Sequence, residues 1–123
     1  YQAGAFQSRR DFKSVVALRL RHVTKEMFYS YLDRQNLITA VMPEAISIMQ
    51  DGFKGTGLRD CFFPKLVRIN YSAFQCCQIQ VLNSESFPAL ESIRKFGFAH
   101  NPITSVNLPS LTSIKDEGFE SCK

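Results

Sequence analysis

A phenylalanine preceded by Gly, Ala or Met recurs along the chain at Phe6, Phe28, Phe53, Phe74, Phe98 and Phe119, with spacings of 22, 25, 21, 24 and 21 residues. An apolar ruler runs ahead of it. From Ile103 to Phe119 the anchors are Ile103, Val106, Leu108, Leu111, Ile114 and Phe119, at offsets 0, 3, 5, 8, 11 and 16, with Pro109 at offset 6. The same offsets select Leu58, Cys61, Phe63, Leu66 and Ile69 before Phe74, with Pro64, and Leu37, Ala40, Met42, Ala45 and Ile48 before Phe53, with Pro43. Before Phe28 they select Phe12, Val15, Ala17, Leu20 and Val23, with Leu18 at the proline position. A unit this small cannot bury its own apolar side, so a repeat of this period folds by stacking on its neighbours into a solenoid.

The fourth unit contains a conflict of register. Counting back from Phe98 selects Leu82, Phe87, Leu90 and Ile93, with Pro88, but it places Glu85 at the inward offset 3. Burying an unpaired carboxylate is costly. Counting forward from Phe74 instead puts Ile79 at offset 0 and Leu82 at offset 3, with extra residues among Asn83 to Ser86. That register is the expected one, because it leaves Glu85 exposed on an inserted bulge. Between units, Lys54 to Gly57 and Asn101-Pro102 read as turns. The longer linker after Phe28 reads as a surface loop with Tyr29 and Tyr31 at its base.

The strings LPSLTSIKDEGF (Leu108 to Phe119), FPALESIRKFGF (Phe87 to Phe98) and FPKLVRINYSAF (Phe63 to Phe74), with AFQCC and GFESC running on from two of the phenylalanines, resemble the BspA-type leucine-rich repeat. The resemblance spans nearly the whole chain. The first repeat departs most, with Leu18 for Pro and Arg9 where Cys often stands. It implies a leucine-rich repeat solenoid that is β-rich, with about five repeats of 21–25 residues. Short parallel strands would line one side, and turns or second short strands the other. Residues 1–123 are expected to form one such solenoid, a segment of a longer array, since neither end carries a polar capping repeat.

In that architecture offsets 0, 3 and 5 face inward, and offsets 2 and 4 project from the strands. The projecting residues are then Ser14 and Val16, Thr39 and Val41, Asp60 and Phe62, Val81 and Asn83, and Ser105 and Asn107. Val16, Val41 and Phe62 are expected to stack in one column with Val81 in reach, and Phe62 is the natural aromatic anchor for a partner. The candidate binding residues are therefore Val16, Thr39, Val41, Asp60, Phe62, Val81, Ser105 and Asn107. The bland alternative is that these residues support the sheet, or that Phe62 folds over the edge onto Phe63.

Counted along the chain, the net charge of +4 lies at one end: Arg9, Arg10, Lys13, Arg19, Arg21 and Lys25 against Asp11 give +5 in residues 1–25, and the remainder nets −1. Arg9, Arg10, Arg19 and Arg21 form a candidate basic patch, most simply a solvated edge. Cys61, Cys77 and Cys122 read as small buried thiols, and adjacent Cys76 and Cys77 should point different ways. The cysteines lack zinc-ligand spacing and paired histidines, and unpaired thiols suit a reducing compartment. His22 and His100 lie repeats apart, so no Ser–His–acid or Cys–His group converges, and no Gly-rich phosphate loop is present. Asp116, Glu117 and Glu120 read as a solvated turn. No cofactor is expected, and no apolar run is long enough to span a bilayer. Asn70-Tyr71-Ser72 is a glycosylation sequon if the chain is secreted.

These readings point away from catalysis and towards recognition of a protein partner on an extended surface. The resemblance implies more, since proteins of this kind are often cell-surface or secreted adhesion molecules. A second class is an intracellular structural scaffold, held in a large assembly by its open ends and basic edge. A third is nucleic-acid contact through Arg9, Arg10, Arg19 and Arg21, which would weaken steeply with salt.

Overall fold

The computed structural model describes residues 13–29, 37–115 and 117–122. Each of five repeats supplies two short strands: β1 (Ser14–Val16) and β2 (His22–Val23), β3 (Thr39–Val41) and β4 (Ser47–Ile48), β5 (Asp60–Phe62) and β6 (Arg68–Ile69), β7 (Val81–Leu82) and β8 (Ser92–Ile93), and β9 (Ser105–Val106) and β10 (Ser113–Ile114). Every pairing is parallel and joins a strand to its equivalent one repeat away. Among the described residues there is no helix. The molecule is a leucine-rich repeat β-solenoid, as the ruler requires.

The two sides differ in continuity. The second strands form one sheet in the order β2-β4-β6-β8-β10, whereas the first strands are split into β1-β3-β5 and β7-β9. The split falls where the fourth repeat carries its extra residues. Ile79 and Leu82 are buried and Glu85 is exposed, as the forward register requires. The Asn83 side chain accepts hydrogen bonds from the backbone N–H groups of Glu85 and Ser86, both at 3.0 Å, closing the bulge into an Asx-type turn. In consequence the Phe63 N–H donates to Ser86 O (2.9 Å) from beyond the bulge, while the equivalent Met42 N–H donates to Phe62 O at the end of the neighbouring strand (3.0 Å).

Local sequence explains each element. Val23, Ile48, Ile69, Ile93 and Ile114 are in register on consecutive second strands, where β-branched side chains pack well. Between the two strands of a repeat the chain reverses through turns closed by Ala45 N–H to Met42 O, Leu66 N–H to Phe63 O, Leu90 N–H to Phe87 O and Leu111 N–H to Leu108 O. Pro43, Pro64, Pro88 and Pro109 sit at the second position of those turns, where a fixed φ favours the bend. The first repeat has Leu18 instead, 64% exposed.

The core is a double file of aromatic rings. Phe28, Phe53, Phe74, Phe98 and Phe119 stack along the solenoid axis with centroids 4.9, 5.4, 5.2 and 5.9 Å apart and planes within 5° of parallel. Phe63 and Phe87 stack beside them at 5.8 Å and meet the main file edge-on. Each such pair adds about 0.5–1.5 kcal/mol beyond the area it buries.

The turns carrying these rings use left-handed backbone at two fixed columns. Two residues before each phenylalanine, Glu26, Asp51, Ser72, Phe96 and Glu117 have φ between 56° and 61°. Two residues after, Gly55, Cys76, His100 and Ser121 have φ of 78°, 61°, 59° and 56°. Only Gly55 enters this region without steric cost. Five of the others use their N–H groups as rungs between repeats: Glu26 to Gln50 O, Asp51 to Tyr71 O, Ser72 to Lys95 O, Cys76 to Ala99 O and His100 to Glu120 O. The residue directly before the phenylalanine answers a different constraint. A Cβ on Gly97 would lie 2.5 Å from the Ile93 Cγ2 methyl.

Candidate functional site

On the first-strand side, hereafter the strand face, the ladder pairs Ser14 with Thr39 and Asp60, and Val16 with Val41 and Phe62. The expected column of Val16, Val41 and Phe62 therefore exists. Val16 is 58% and Phe62 43% exposed, with Val41 half-buried between them. Phe62 does not fold onto Phe63: among the described residues the ring partners of Phe63 are Phe53, Phe74 and Phe87. Thr39 is half-buried, and Asp60 is exposed beside Arg59, Oδ2 to Nε 3.9 Å.

Val81 keeps the offset it has in the sequence. Its register partner is Ser105, which places it in the column of Thr39 and Asp60 and not beside Phe62. It also belongs to a separate sheet from β5, because the bulge displaces the ladder. The apolar column therefore ends at Phe62. Beyond it, Arg59, Asp60, Cys61, Gln80, Val81, Asn83 and Ser86 line an open, polar cleft of about 460 Å³. Val81 is 46% exposed on its far wall, and Ser105 and Asn107 are exposed one repeat further on.

The basic residues distribute differently in space than along the chain. Arg9 and Arg10 lie outside the described residues, while Arg19 and Arg21 are exposed. Arg21 stands at the edge of the second sheet, where its carbonyl accepts the Ile46 N–H at 2.7 Å. Across the outer columns of that sheet lie Arg68, Arg94 and Lys115, all exposed. The net excess lies in residues 1–25, but exposed bases also run along this face through the later repeats.

Among the described residues the histidines stand apart from one another and the acids at the last turn are paired. His22 Nδ1 lies 2.6 Å from Ser47 Oγ, and His100 Nε2 lies 3.8 Å from Glu120 Oε2 at a separate turn. Glu117 pairs with Lys95 at 3.6 Å, and Asp116 lies outside the described residues. Among the described residues no cluster of His, Cys, Asp and Glu could hold a metal ion. No helix among them is long and apolar enough to cross a membrane. The Asn70 amide of the sequon is already engaged, donating to Ile48 O at 3.0 Å.

The cysteines are structural, in a way the sequence only half disclosed. All four are free thiols; Cys77 is buried and Cys76 exposed, but Cys61 and Cys122 are half-buried and not fully enclosed as expected. Cys61 lines the polar cleft, yet desolvation pushes its thiol well above the ordinary cysteine range. Three residues after each phenylalanine comes a column of hydrogen-bonding side chains: Thr56, Cys77, Asn101 and Cys122. Cys77 donates to Phe53 O (3.1 Å) and Cys122 to Phe98 O (3.2 Å), each one repeat back. Thr56 donates to Phe53 O at 2.9 Å, and Asn101 donates to Phe74 O and Phe98 O at 2.8 and 2.9 Å while accepting from the Ile79 N–H. Sequence inspection found the two cysteines of this column and missed Thr56 and Asn101. The shared offset was the available signal.

A scan against protein families matches residues 2–123 to the BspA type leucine rich repeat region, in 6 copies. Comparison with curated proteins and with solved structures returns no match. The matched span contains the stacked phenylalanines, the proline turns and the paired short strands seen in the fold. The chain belongs to the BspA type leucine-rich repeat family.

Proposed function

We propose that this solenoid is a non-enzymatic recognition module that binds a protein partner on its strand face, centred on Phe62. The observation that carries the reading is the exposed apolar column Val16, Val41 and Phe62, held in register by the β1-β3-β5 ladder. Rigid, ladder-mounted side chains lose little freedom on binding, and an aromatic at the end of an apolar column makes an efficient anchor. Polar neighbours complete the surface: Thr39 and Asp60 beside the column, Ser105 and Asn107 beyond the cleft. Family membership supports the same class, because leucine-rich repeats commonly bind proteins. The finer form of the reading is adhesion at a cell surface, supported by the family resemblance.

The test is capture of partners from the native source by the wild-type chain and by Phe62→Glu, after circular dichroism has shown both folded. A partner retained by the wild type and lost with Phe62→Glu is the expected result. Equal recovery of every partner by both proteins would remove the strand face as the binding surface.

A further inference from the structure

On the outer side of the second sheet lie the residues that flank Val23, Ile48, Ile69, Ile93 and Ile114, and of these Ser47 is buried. Going from β2 to β10, these are His22, Ser47, Arg68, Ser92 and Ser113 before the buried position, and Thr24, Met49, Asn70, Arg94 and Lys115 after it. The next column outward begins with Arg21 and includes Glu91. Among the described residues of these columns four bases, Arg21, Arg68, Arg94 and Lys115, face one acid, Glu91, for a net of +3. The turn columns nearest the phenylalanines have the opposite balance. There Glu26, Asp51, Glu117 and Glu120 outnumber Lys54, and Lys25 and Lys95 in the adjoining column offset part of that charge, Lys95 pairing with Glu117 at 3.6 Å. Folding thus gathers an excess of bases on the sheet face of a molecule whose overall charge is only +4.

The bases on the sheet are also unspent. Among the described residues, ion pairs link Lys65 with Glu44, Lys95 with Glu117 and Arg59 with Asp60, and none involves Arg21, Arg68, Arg94 or Lys115. Arg68 opens β6, while Arg94 and Lys115 directly follow β8 and β10 in one column, two positions along from that of Arg68; neighbouring strands lie roughly 4.8 Å apart. Arg94 and Lys115 are therefore well within a Debye length of about 8–10 Å, and Arg68, on the diagonal, is at about that distance from Arg94, so their fields add. Alongside them Met49 is 42% and Tyr71 47% exposed.

We propose that the outer face of the β2-β4-β6-β8-β10 sheet is a docking surface for an acidic polypeptide segment. Charge complementarity selects an anion, and the forked guanidinium groups of Arg68 and Arg94 match carboxylates in bidentate geometry. The neighbouring aromatic group distinguishes polypeptide from nucleic acid. The guanidinium of Arg94 lies over the Tyr71 ring, 5.5 Å from its centroid, and so occupies the surface on which a base would stack. Arginine, tyrosine and methionine together are the residues enriched where proteins meet proteins. This surface is separate from the strand face, and neither reading depends on the other.

The probe is a fluorescein-labelled oligoglutamate, followed by fluorescence anisotropy at low ionic strength, with a labelled oligo(dT) in parallel. The wild-type chain should bind the oligoglutamate, and Arg68→Glu with Arg94→Glu should weaken that binding by at least about tenfold, as expected when two favourable contacts become repulsive. A charge-matched control, Lys13→Glu with Lys65→Glu, alters net charge equally but lies off the sheet and should leave the affinity within about twofold. Equal loss in both variants would reduce the effect to net charge and overturn the proposal. Failure to bind oligoglutamate would do the same, as would tighter binding of oligo(dT) through the same arginines. Salt-sensitive self-association of the chain, abolished by Arg68→Glu with Arg94→Glu, would replace the acidic segment with the acidic turns of a second copy.

Discussion

Truncating the central ring of the aromatic file gives the sharpest test of how this solenoid is held together. Phe74 is fully buried and touches four rings: Phe53 and Phe98 stacked at 5.4 and 5.2 Å, and Phe63 and Phe87 edge-on at 5.9 and 6.1 Å. Removing roughly 100 Å² of buried apolar surface costs about 2.5 kcal/mol by transfer. A residual void of roughly 50 Å³ costs about 1.2 kcal/mol more. Phe74→Ala should therefore destabilise by about 4 kcal/mol, with lost ring contacts pushing it towards the top of the usual range of roughly 3–5 kcal/mol. Phe119 is half-buried and has one ring neighbour among the described residues, Phe98 at 5.9 Å. Phe119→Ala should cost about half as much, because the cost scales with what is buried. Urea unfolding followed by circular dichroism measures both. With a slope of roughly 2 kcal/mol per molar urea, the midpoint should fall by about 2 M for Phe74→Ala and about 1 M for Phe119→Ala. Equal shifts for the two variants, or a shift under about 0.5 M for Phe74→Ala, would refute the aromatic file as the principal tie between repeats.

Two further outcomes follow from the turns. Cys76→Gly should stabilise by about 0.5 kcal/mol, since relief of the left-handed strain exceeds the entropy that glycine returns to the unfolded chain, while Gly55→Ala should destabilise by about 1 kcal/mol. Thermal unfolding of the pair checks both signs. Asp51 is buried in a turn, and desolvation raises its pKa, with Lys54 opposing and Glu26 reinforcing the shift. A carboxyl whose folded pKa exceeds its unfolded value binds more protons when folded, so its ionisation costs stability as pH rises from the unfolded pKa through the folded one. Asp51→Asn should therefore stabilise at neutral pH, with a pH-dependent part of the gain that disappears on acidification below the ordinary carboxylate range. A gain that grew on acidification would contradict the assignment.

The inward half of this structure was legible because burial repeats its demands. Offsets 3, 5, 8, 11 and 16 must be apolar in every repeat, so Ile48, Ile69, Ile93 and Phe53, Phe74, Phe98 recur and announce themselves. The bulge was legible too, since Glu85 could not be accepted inside. Three things were not. The left-handed columns hold chemically unrelated residues, and Gly55 alone hints at positive φ; what stabilises Glu26, Asp51 or Ser72 there is a hydrogen bond to the next repeat. The role of Asn101 was hidden because Thr, Cys and Asn satisfy the same carbonyls by different chemistry. The cationic face was hidden because Arg21, Arg68, Arg94 and Lys115 come from four different repeats, whereas a running count registers only sequence neighbours.

The interrupted ladder has a mechanical consequence. Between the third and fourth repeats the second sheet is intact through β6 and β8, while β5 and β7 are not joined as strands. The strand side there keeps the rungs from Gln78 N–H to Leu58 O and from Phe63 N–H to Ser86 O, which flank the cleft. One side of the rod is therefore softer than the other at a single place. Bending that spreads or narrows the strand side concentrates at this joint, with β6 and β8 serving as its axis. A load transmitted along the array changes the distance between Phe62 and Val81 before it changes the geometry within either half.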